Sequence, residues 1–383
     1  MKRPITWTMA SVLAVAGVIA VGATGATGAT DSAATPSIPS TVVVTTDDTG
    51  ADATEGADAT DVAEATDSAG SEPVSSDPCA DVAAPADTGA ASSAPTDSSA
   101  IEALEIAVLS PDYAAQPAAK EAIDSFQAAA EAHGHSVTVV DTNSDNAAMN
   151  AEITTAVSQG VDAIVVAFGT PQEFGDGLAD AADADIPVFG LDTGGVVEGI
   201  VVNVTTDNAF LGEQSAQAII DEIGEGGTVA MIHFDPFEPV RLRAEAARAL
   251  FEENGVEVVE YIQGDPEDST GFAAAATGDL LTKYPEGELD AIWAGWDASA
   301  LGAFQATVAA DRTEVLITGV DGQDFAIAEV ASGGNWIATV KQDWGVIATT
   351  ELGLIEDFFA GEQPAETVVF VPAVVITADN ACA

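Results

Sequence analysis

The chain has 383 residues and is strongly acidic, with 63 aspartate and glutamate residues, 9 lysine and arginine residues, and a formal net charge of −54. This charge repels phosphate backbones and anionic lipids, so it excludes nucleic acid as a partner, and solubility explains it most simply. The length exceeds that of one ordinary domain and predicts two compact units with additional segments.

The N-terminus has the pattern of a secretory signal over residues 1–29. Lys2 and Arg3 precede an apolar run from Ile5 to Val21, and small residues follow it. The run is about 17 residues long, so an uncleaved membrane anchor is the alternative. No cysteine lies near the cleavage region, which predicts that there is no lipobox. Export predicts an extracytoplasmic location, in the periplasm or on the outer face of the cell membrane.

An acidic segment without basic or aromatic residues occupies residues 30–100. Because Ala, Thr, Ser, Asp, Gly and Pro bury too little apolar surface to offset ordering entropy, we predict a disordered linker. The chain has two cysteines, Cys79 in this linker and Cys382 beside the C-terminus. Export would allow a disulfide between them, with free or intermolecular thiols as the alternative.

From Ile101 onward, short apolar runs rich in Val and Ile alternate with helical stretches. The runs begin at Leu104, Val137, Ala163, Ile186, Ile200, Thr228, Val256, Ala291, Val315 and Trp336. Glycines stand where helices should end, at Gly134, Gly160, Gly224, Gly255 and Gly361. Continuous apolar strands alternating with helices are typical of parallel α/β sheets. Ten strands exceed one sheet of usual size, so we predict two Rossmann-like α/β lobes.

Common enzyme and metal-binding motifs are absent from the sequence. It contains no GxSxG, HExxH, GxxxxGK[ST] or GxGxxG, which argues against the usual hydrolases, zinc proteases and nucleotide-binding proteins. His133, His135 and His233 have no neighbours suited to ligating a metal. We therefore expect no catalytic residue, no metal and no cofactor.

One stretch imitates a calcium-binding loop. Asp141, Asn143, Asp145 and Glu152 take positions 1, 3, 5 and 12 of an EF-hand loop. The turn glycine is replaced by Asn146, however, and the stretch follows a strand instead of a helix. A strand-to-helix turn capped by Asp and Asn accounts for the same residues and is the preferred interpretation.

Polar and aromatic residues follow several of the predicted strands. In parallel α/β sheets ligands bind beyond the carboxyl ends of the strands, so these residues are the candidates for a binding site. The candidates are Tyr113, Gln116, Gln172, Asp192, Arg243, Trp296, Asp321 and Gln342. Carboxylate, guanidinium and amide groups bond to hydroxyls, and aromatic rings cover C–H faces, so the set suits a sugar.

Each candidate also has a structural interpretation. Asp192 and Asp321 could cap turns, Arg243 could form a surface ion pair, and Trp296 could pack between the lobes. Gln116 and Gln172 are individually weak candidates. Asp207 is better interpreted as the cap of a helix.

The order of six segments carries a family resemblance. The segments are GVDAIVVAFGTP, IPVFGLDT, TTDNAFLG, LDAIWAGWDASALGA, ITGVDG and ATVKQD. From Ile101 to Thr377 the chain resembles the type 1 periplasmic binding proteins, in the ribose-binding-like branch that serves sugar transporters of the ATP-binding-cassette (ABC) class.

The resemblance implies roles for particular residues. Arg243, Asp321 and Gln342 match ligand-bonding residues of the family, and Gln116 matches an asparagine of the first loop. Trp296 stands where an asparagine is usual, and an Ala-Ala pair replaces the Gly-Phe that usually follows the arginine. These departures favour a ligand other than ribose.

The resemblance also implies a hinge-bending clamp whose closed form is recognised by a membrane permease. The chain should cross between the lobes near Asp192, Gln342 and Val371. The predicted lobes are residues 101–192 with 343–371, and residues 193–342 with 372–383.

The resemblance thus implies a monomeric solute-binding protein that captures a monosaccharide or related sugar for an ABC importer. One alternative is a sensory receptor that uses the same clamp for a signal molecule. A secreted enzyme is a further alternative, disfavoured because no nucleophile accompanies a base. The lactose-repressor relatives share the fold, but here an export signal and an acidic linker stand where their DNA-binding helices would be.

Overall fold

The computed structural model describes residues 101–143, 145–195 and 197–382. The predicted signal at 1–29, the predicted linker at 30–100 and Cys79 lie outside the described residues, so the pairing of Cys79 with Cys382 stays a prediction. Within the described part of the chain, no helix combines the length and the apolar character that crossing a bilayer requires.

The first lobe is built on a six-stranded parallel sheet with the order β11-β5-β4-β3-β1-β2. Its strands are β1 (Glu105–Ser110), β2 (Ser136–Asp141), β3 (Ala163–Ala167), β4 (Val188–Leu191), β5 (Ile200–Thr206) and β11 (Val368–Val371). Its helices are α1 (Pro117–Ala132), α2 (Asn146–Gln159), α3 (Gly177–Asp183), α9 (Trp344–Ala360) and a 3-10 turn at Pro171–Glu173.

The second lobe repeats this plan with the order β12-β10-β9-β8-β6-β7. Its strands are β6 (Thr228–His233), β7 (Glu257–Gln263), β8 (Ala291–Ala294), β9 (Leu316–Asp321), β10 (Trp336–Lys341) and β12 (Val374–Thr377). Only the edge strand β12 runs antiparallel, against β10. Its helices are α4 (Asn208–Ile223), α5 (Glu238–Glu253), α6 (Ser269–Lys283), α7 (Asp297–Ala309) and α8 (Asp324–Ala331).

Each sheet is covered on both faces, which explains why its central strands are apolar without interruption. In β1, Ile106 and Val108 belong to one hydrophobic cluster while Ala107 and Leu109 belong to another. Alternate side chains of a strand point to opposite faces, so both faces of this strand meet a core. The prediction of two α/β lobes with largely parallel sheets is confirmed.

Over residues 101–382, apart from the undescribed 144 and 196, the chain crosses between the lobes at three places, and the first differs from the prediction. β5 pairs with β4 and β11 in the first sheet, so the crossing follows Thr206 instead of Asp192. Asp192 begins a reversing turn within the first lobe, where its backbone N–H donates to the Val204 carbonyl. The other passages lie between β10 and α9 and between β11 and β12.

Candidate functional site

The carboxyl ends of strands from both sheets meet around a cavity of about 60 Å³ between the lobes. Five of the residues proposed from sequence line it: Gln116 and Asp192 from the first lobe, and Arg243, Trp296 and Asp321 from the second. This is the place where open parallel sheets bind ligands.

The buried guanidinium of Arg243 organises the second-lobe side of the cavity. Its Nη1 donates to Asp321 Oδ1 at 3.2 Å and to the Gly295 carbonyl at 3.1 Å, while Nε donates to Asn208 Oδ1 at 2.7 Å. These bonds engage Nε and Nη1, and Nη2 makes no hydrogen bond to another described residue. A buried charge is tolerated when it is paired and hydrogen-bonded, as here.

Gln342 does not line the cavity itself but supports Asp321 from behind. Its Nε2 donates to Asp321 Oδ1 at 3.0 Å, so one carboxylate oxygen accepts bonds from both Arg243 and Gln342. Gln342 is completely buried, and its Oε1 has no hydrogen-bond partner among the described residues.

Asp192 presents an unsatisfied carboxylate oxygen. Its Oδ1 accepts a hydrogen bond from Thr205 Oγ1 at 2.5 Å, but Oδ2 is buried and has no partner among the described residues. Burial raises the pKa of Asp192, and the nearby charge of Arg243 partly opposes this rise. A hydroxyl or another donor of a ligand would satisfy the free oxygen.

Burial also raises the pKa of Asp321, to about 6, although Arg243 and Gln342 favour the ionised form. Behind it lies Asp297, whose pKa burial and the neighbouring Asp321 raise well above the usual range. Asp297 accepts bonds from the Gln323 N–H at 2.9 Å and from Thr339 Oγ1 at 2.8 Å. Asp297 therefore braces the loop after β9 instead of facing the cavity.

Gln116 and Trp296 meet at a serine that sequence reasoning did not identify. Gln116 Nε2 donates to Ser269 Oγ at 2.9 Å and to the Pro266 carbonyl, and Trp296 Nε1 donates to the same hydroxyl at 3.0 Å. Gln116 belongs to the first lobe and Ser269 to the second, so this bond closes the cleft. A second bond across the cleft joins Gln323 Nε2 to Glu121 Oε2 at 2.9 Å.

Two phenylalanines form an aromatic contact across the cleft. Phe168, directly after β3, stacks on Phe237 of the second lobe with ring centroids 6.5 Å apart, and it also contacts Trp344 at 5.4 Å. Both phenylalanines line the cavity. The position of Phe168 after a buried strand was a signal that could have identified it; Phe237 lies in a loop and gave no comparable signal.

Backbone strain is concentrated at this site. Six non-glycine residues of the described chain have positive φ, and three of them line the cavity: Phe168 at 58°, Asp192 at 47° and Asp321 at 123°. Such conformations cost roughly 1–3 kcal/mol each and persist where the surrounding structure imposes them. All three residues lie at strand ends that border the cavity.

Two sequence-predicted site residues lie elsewhere, which corrects the prediction. The Tyr113 hydroxyl donates to Asp124 Oδ1 at 2.7 Å on the surface of α1. Gln172 is exposed on the 3-10 turn and lies beside Gly195. Neither side chain lines the cavity, which strand positions alone did not reveal.

The aspartates of the stretch that imitates a calcium loop accept hydrogen bonds from backbone N–H groups. Asp141 Oδ2 accepts from the Ala114 N–H at 2.8 Å, and Asp145 Oδ1 accepts from the Ala148 N–H at 3.0 Å at the start of α2. Among residues 101–143, 145–195 and 197–382, no group of three or more His, Cys, Asp or Glu residues is arranged to hold a metal ion.

Known proteins resemble this chain in sequence. The family described as the periplasmic binding protein domain matches residues 106–357. The ribose import binding protein of Haemophilus influenzae is 27% identical over 241 residues, which cover 63% of this chain and 80% of that protein. The xylitol-binding protein of Mycolicibacterium smegmatis is 25% identical over 265 residues, which cover 68% and 73%.

A solved structure agrees over almost its whole length. An ABC sugar transporter subunit from Rhodobacter sphaeroides superposes with a TM-score of 0.67 at 26% identity, covering 72% of this chain and 99% of that one. The family match spans more than half of the 383 residues and the two-lobed fold agrees with it, so this chain belongs to the periplasmic binding proteins.

Proposed function

We propose that this protein captures a neutral sugar or polyol between its lobes and delivers it to an ABC importer. The observation that carries the proposal is the buried Arg243–Asp321 pair, which faces the unsatisfied Asp192 carboxylate across one cavity. Arg243 Nη2 is a donor, and the two carboxylates are acceptors. Hydroxyl groups can both donate and accept, so a polyhydroxyl ligand suits this set.

The charges of the cavity favour a ligand without negative charge. The ionisable residues that line it are Arg243 and three carboxylates, Asp112, Asp192 and Asp321. The single guanidinium is already paired with Asp321, so a phosphorylated or carboxylated sugar would bring an uncompensated negative charge into a buried site. The aromatic ring of Trp296 would cover an apolar face of the sugar.

The proposed mechanism is closure around the ligand. A ligand stabilises the closed form only through contacts that are stronger there than in the open form. Here the ligand would bridge residues of both lobes, and the Gln116–Ser269 and Glu121–Gln323 bonds would close over it. The membrane permease of the importer would then recognise the closed monomer.

The cellular setting belongs to the same proposal. Residues 1–29 would direct export, residues 30–100 would link the folded part to the envelope, and the protein would act outside the cytoplasm. The relatives named above are transport or binding proteins. We therefore assign this chain a binding role without catalysis.

A thermal-shift and calorimetry screen of the purified full chain tests the proposal. D-ribose, xylitol, other neutral sugars and ribose 5-phosphate serve as probes. At least one neutral compound should raise the free energy of unfolding, by about 3 kcal/mol at a hundredfold excess over its Kd, whereas ribose 5-phosphate should not. Binding of the phosphate alone would contradict the proposal.

The variant Arg243→Ala tests whether the cavity around Arg243 is the binding site. It should abolish ligand-induced stabilisation, and because Asp321 is then left buried without its partner, it should also lower basal stability by roughly 3–5 kcal/mol. Arg248→Ala is the control, since Arg248 lies on the same helix but forms an exposed pair with Glu252. Full stabilisation of Arg243→Ala by the ligand would rule out this site.

A further inference from the structure

The cleft contains a second compartment beside the cavity already described. It has a volume of about 120 Å³. We call the Arg243–Asp321 cavity the inner compartment and this one the outer compartment. Pro111, Thr170, Glu173 and Pro236 line only the outer compartment.

The two compartments are adjacent and share walls. Five residues line both of them: Asp112, Phe168, Phe234, Phe237 and Pro266. A ligand in the inner compartment therefore lies beside the walls of the outer one. The stacked rings of Phe168 and Phe237, one from each lobe, belong to these shared walls.

The chemistry of the outer compartment differs from that of the inner one. Its walls are mainly proline and phenylalanine, which present flat apolar surfaces, while Thr170, Glu173 and Asp112 supply polar atoms. The Arg243 guanidinium does not reach it. Aromatic and proline surfaces suit the flat face of a ring, and the acidic side chains again disfavour an anion.

The proposal that follows rests on the proposed function of the inner compartment. We propose that the natural ligand is a two-ring glycoside, with its polyhydroxyl unit in the inner compartment and its second ring against the phenylalanines of the outer one. The residue types support this arrangement, because the Arg243–Asp321 pair lines the inner compartment, whereas three prolines and three phenylalanines line the outer one.

Thr170 offers a selective test because it lines the outer compartment and does not line the inner one. It precedes the 3-10 turn, and its side chain makes no capping hydrogen bond. Thr170→Phe would fill the outer compartment and leave the inner residues in place. Thr170→Ala is the matched control, since it changes the same position without obstructing it.

The experiment measures Kd by calorimetry on the full chain for D-ribose, its two methyl glycosides and its two phenyl glycosides. One phenyl anomer should bind roughly tenfold more tightly than D-ribose, which is the gain expected from a stacked ring. Thr170→Phe should remove this gain and leave the Kd for D-ribose within about twofold, while Thr170→Ala should retain the gain.

The outcomes separate the two proposals. If D-ribose binds but no glycoside gains affinity, or if the gain survives in Thr170→Phe, the two-ring ligand is ruled out and the proposed function stands. If another neutral sugar of the screen binds but D-ribose does not, the proposed function stands, and the same comparison of that sugar with its methyl and phenyl glycosides decides the two-ring ligand. If no sugar or glycoside binds, the proposed function fails and the two-ring ligand fails with it.

Discussion

Arg243 and the carboxylates around it determine the electrostatics of the cleft. The guanidinium neutralises Asp321 through a direct bond but reaches Asp192 only through space. Buried carboxylates without full compensation favour the neutral form, which explains the raised pKa values on both sides of the cavity. A ligand that donates hydrogen bonds to these carboxylates would lower their pKa values again.

The pKa of Asp321 makes a prediction for the ligand-free protein. This pKa is about 6 when folded and has an ordinary value of 3.8, so between these pH values the folded state holds a proton that the unfolded chain has lost. The free energy of unfolding contributed by this group therefore falls as the pH rises through that window. Asp321→Asn should lose this dependence.

Urea titrations of both proteins at a series of pH values measure the effect. The stability of the natural protein relative to Asp321→Asn should decline from about pH 4 to about pH 6 and then level off. Asp207→Asn is the control: Asp207 is exposed and caps α4, and asparagine caps equally well. A difference between the natural protein and Asp321→Asn that does not change with pH would contradict the assignment.

At the scale of elements, close packing of α4 on α5 holds Arg243 in place. Gly212 lies on α4 directly against the Arg243 backbone, and a Cβ there would be 2.0 Å from the Arg243 carbonyl oxygen. Asn208, at the start of the same helix, accepts a bond from the guanidinium. Helix α4 therefore positions both the backbone and the side chain of Arg243.

Gly212→Ala should force the two helices apart. We expect a loss of about 1–3 kcal/mol in stability from overpacking, together with weaker sugar binding because Arg243 shifts. Gly353→Ala on α9 is the matched control: a Cβ there meets nothing within 4 Å, so the change should add up to about 1 kcal/mol through helix propensity. Chemical denaturation and calorimetry measure both effects, and equal changes in stability would contradict the packing argument.

At the scale of the whole molecule, the hydroxyl of Ser269 joins the lobes. It accepts bonds from Gln116 of the first lobe and Trp296 of the second, so it links the closing contact to a wall of the cavity. Each such bond contributes about 1 kcal/mol. The balance between the open and closed forms should therefore depend on this one side chain.

Ser269→Ala should shift the ligand-free protein toward the open form and raise the Kd for the sugar roughly tenfold. The distance between spin labels on the two lobes reports the first effect, and calorimetry reports the second. Saturating ligand should restore the closed distance. Ser158→Ala, which removes an exposed hydroxyl on α2, should change neither quantity. An unchanged distance distribution in Ser269→Ala would contradict the role of this bond.

Much of the fold could be predicted from the sequence because local patterns encode the elements. All ten apolar runs correspond to strands, and the predicted glycines follow the ends of their helices, as Gly361 does after α9 with a φ of 97°. The short strands β11 and β12 were not predicted. They have four residues each and include exposed positions, so they lack the continuous apolar pattern of the central strands.

Part of the site could also be predicted, because the sequence shows which residues lie near strand ends. Arg243, Asp321 and Asp192 follow or approach strand ends, which parallel topology brings together. Tyr113 also follows a strand but turns to the surface, and Ser269 begins a helix that is remote in sequence from Gln116. Chain position determines which edge of the sheet a residue occupies, but loop conformation determines the direction of its side chain.

The sequence by itself determined the α/β alternation, the two lobes and the chemistry available at the strand ends, because apolar periodicity and residue type are local properties. Only the tertiary structure decided that the first crossing follows Thr206, that Ser269 joins the lobes, and that the cleft has two compartments. Strand order, loop direction and contacts across the cleft depend on residues far apart in the chain, and no local pattern specifies them.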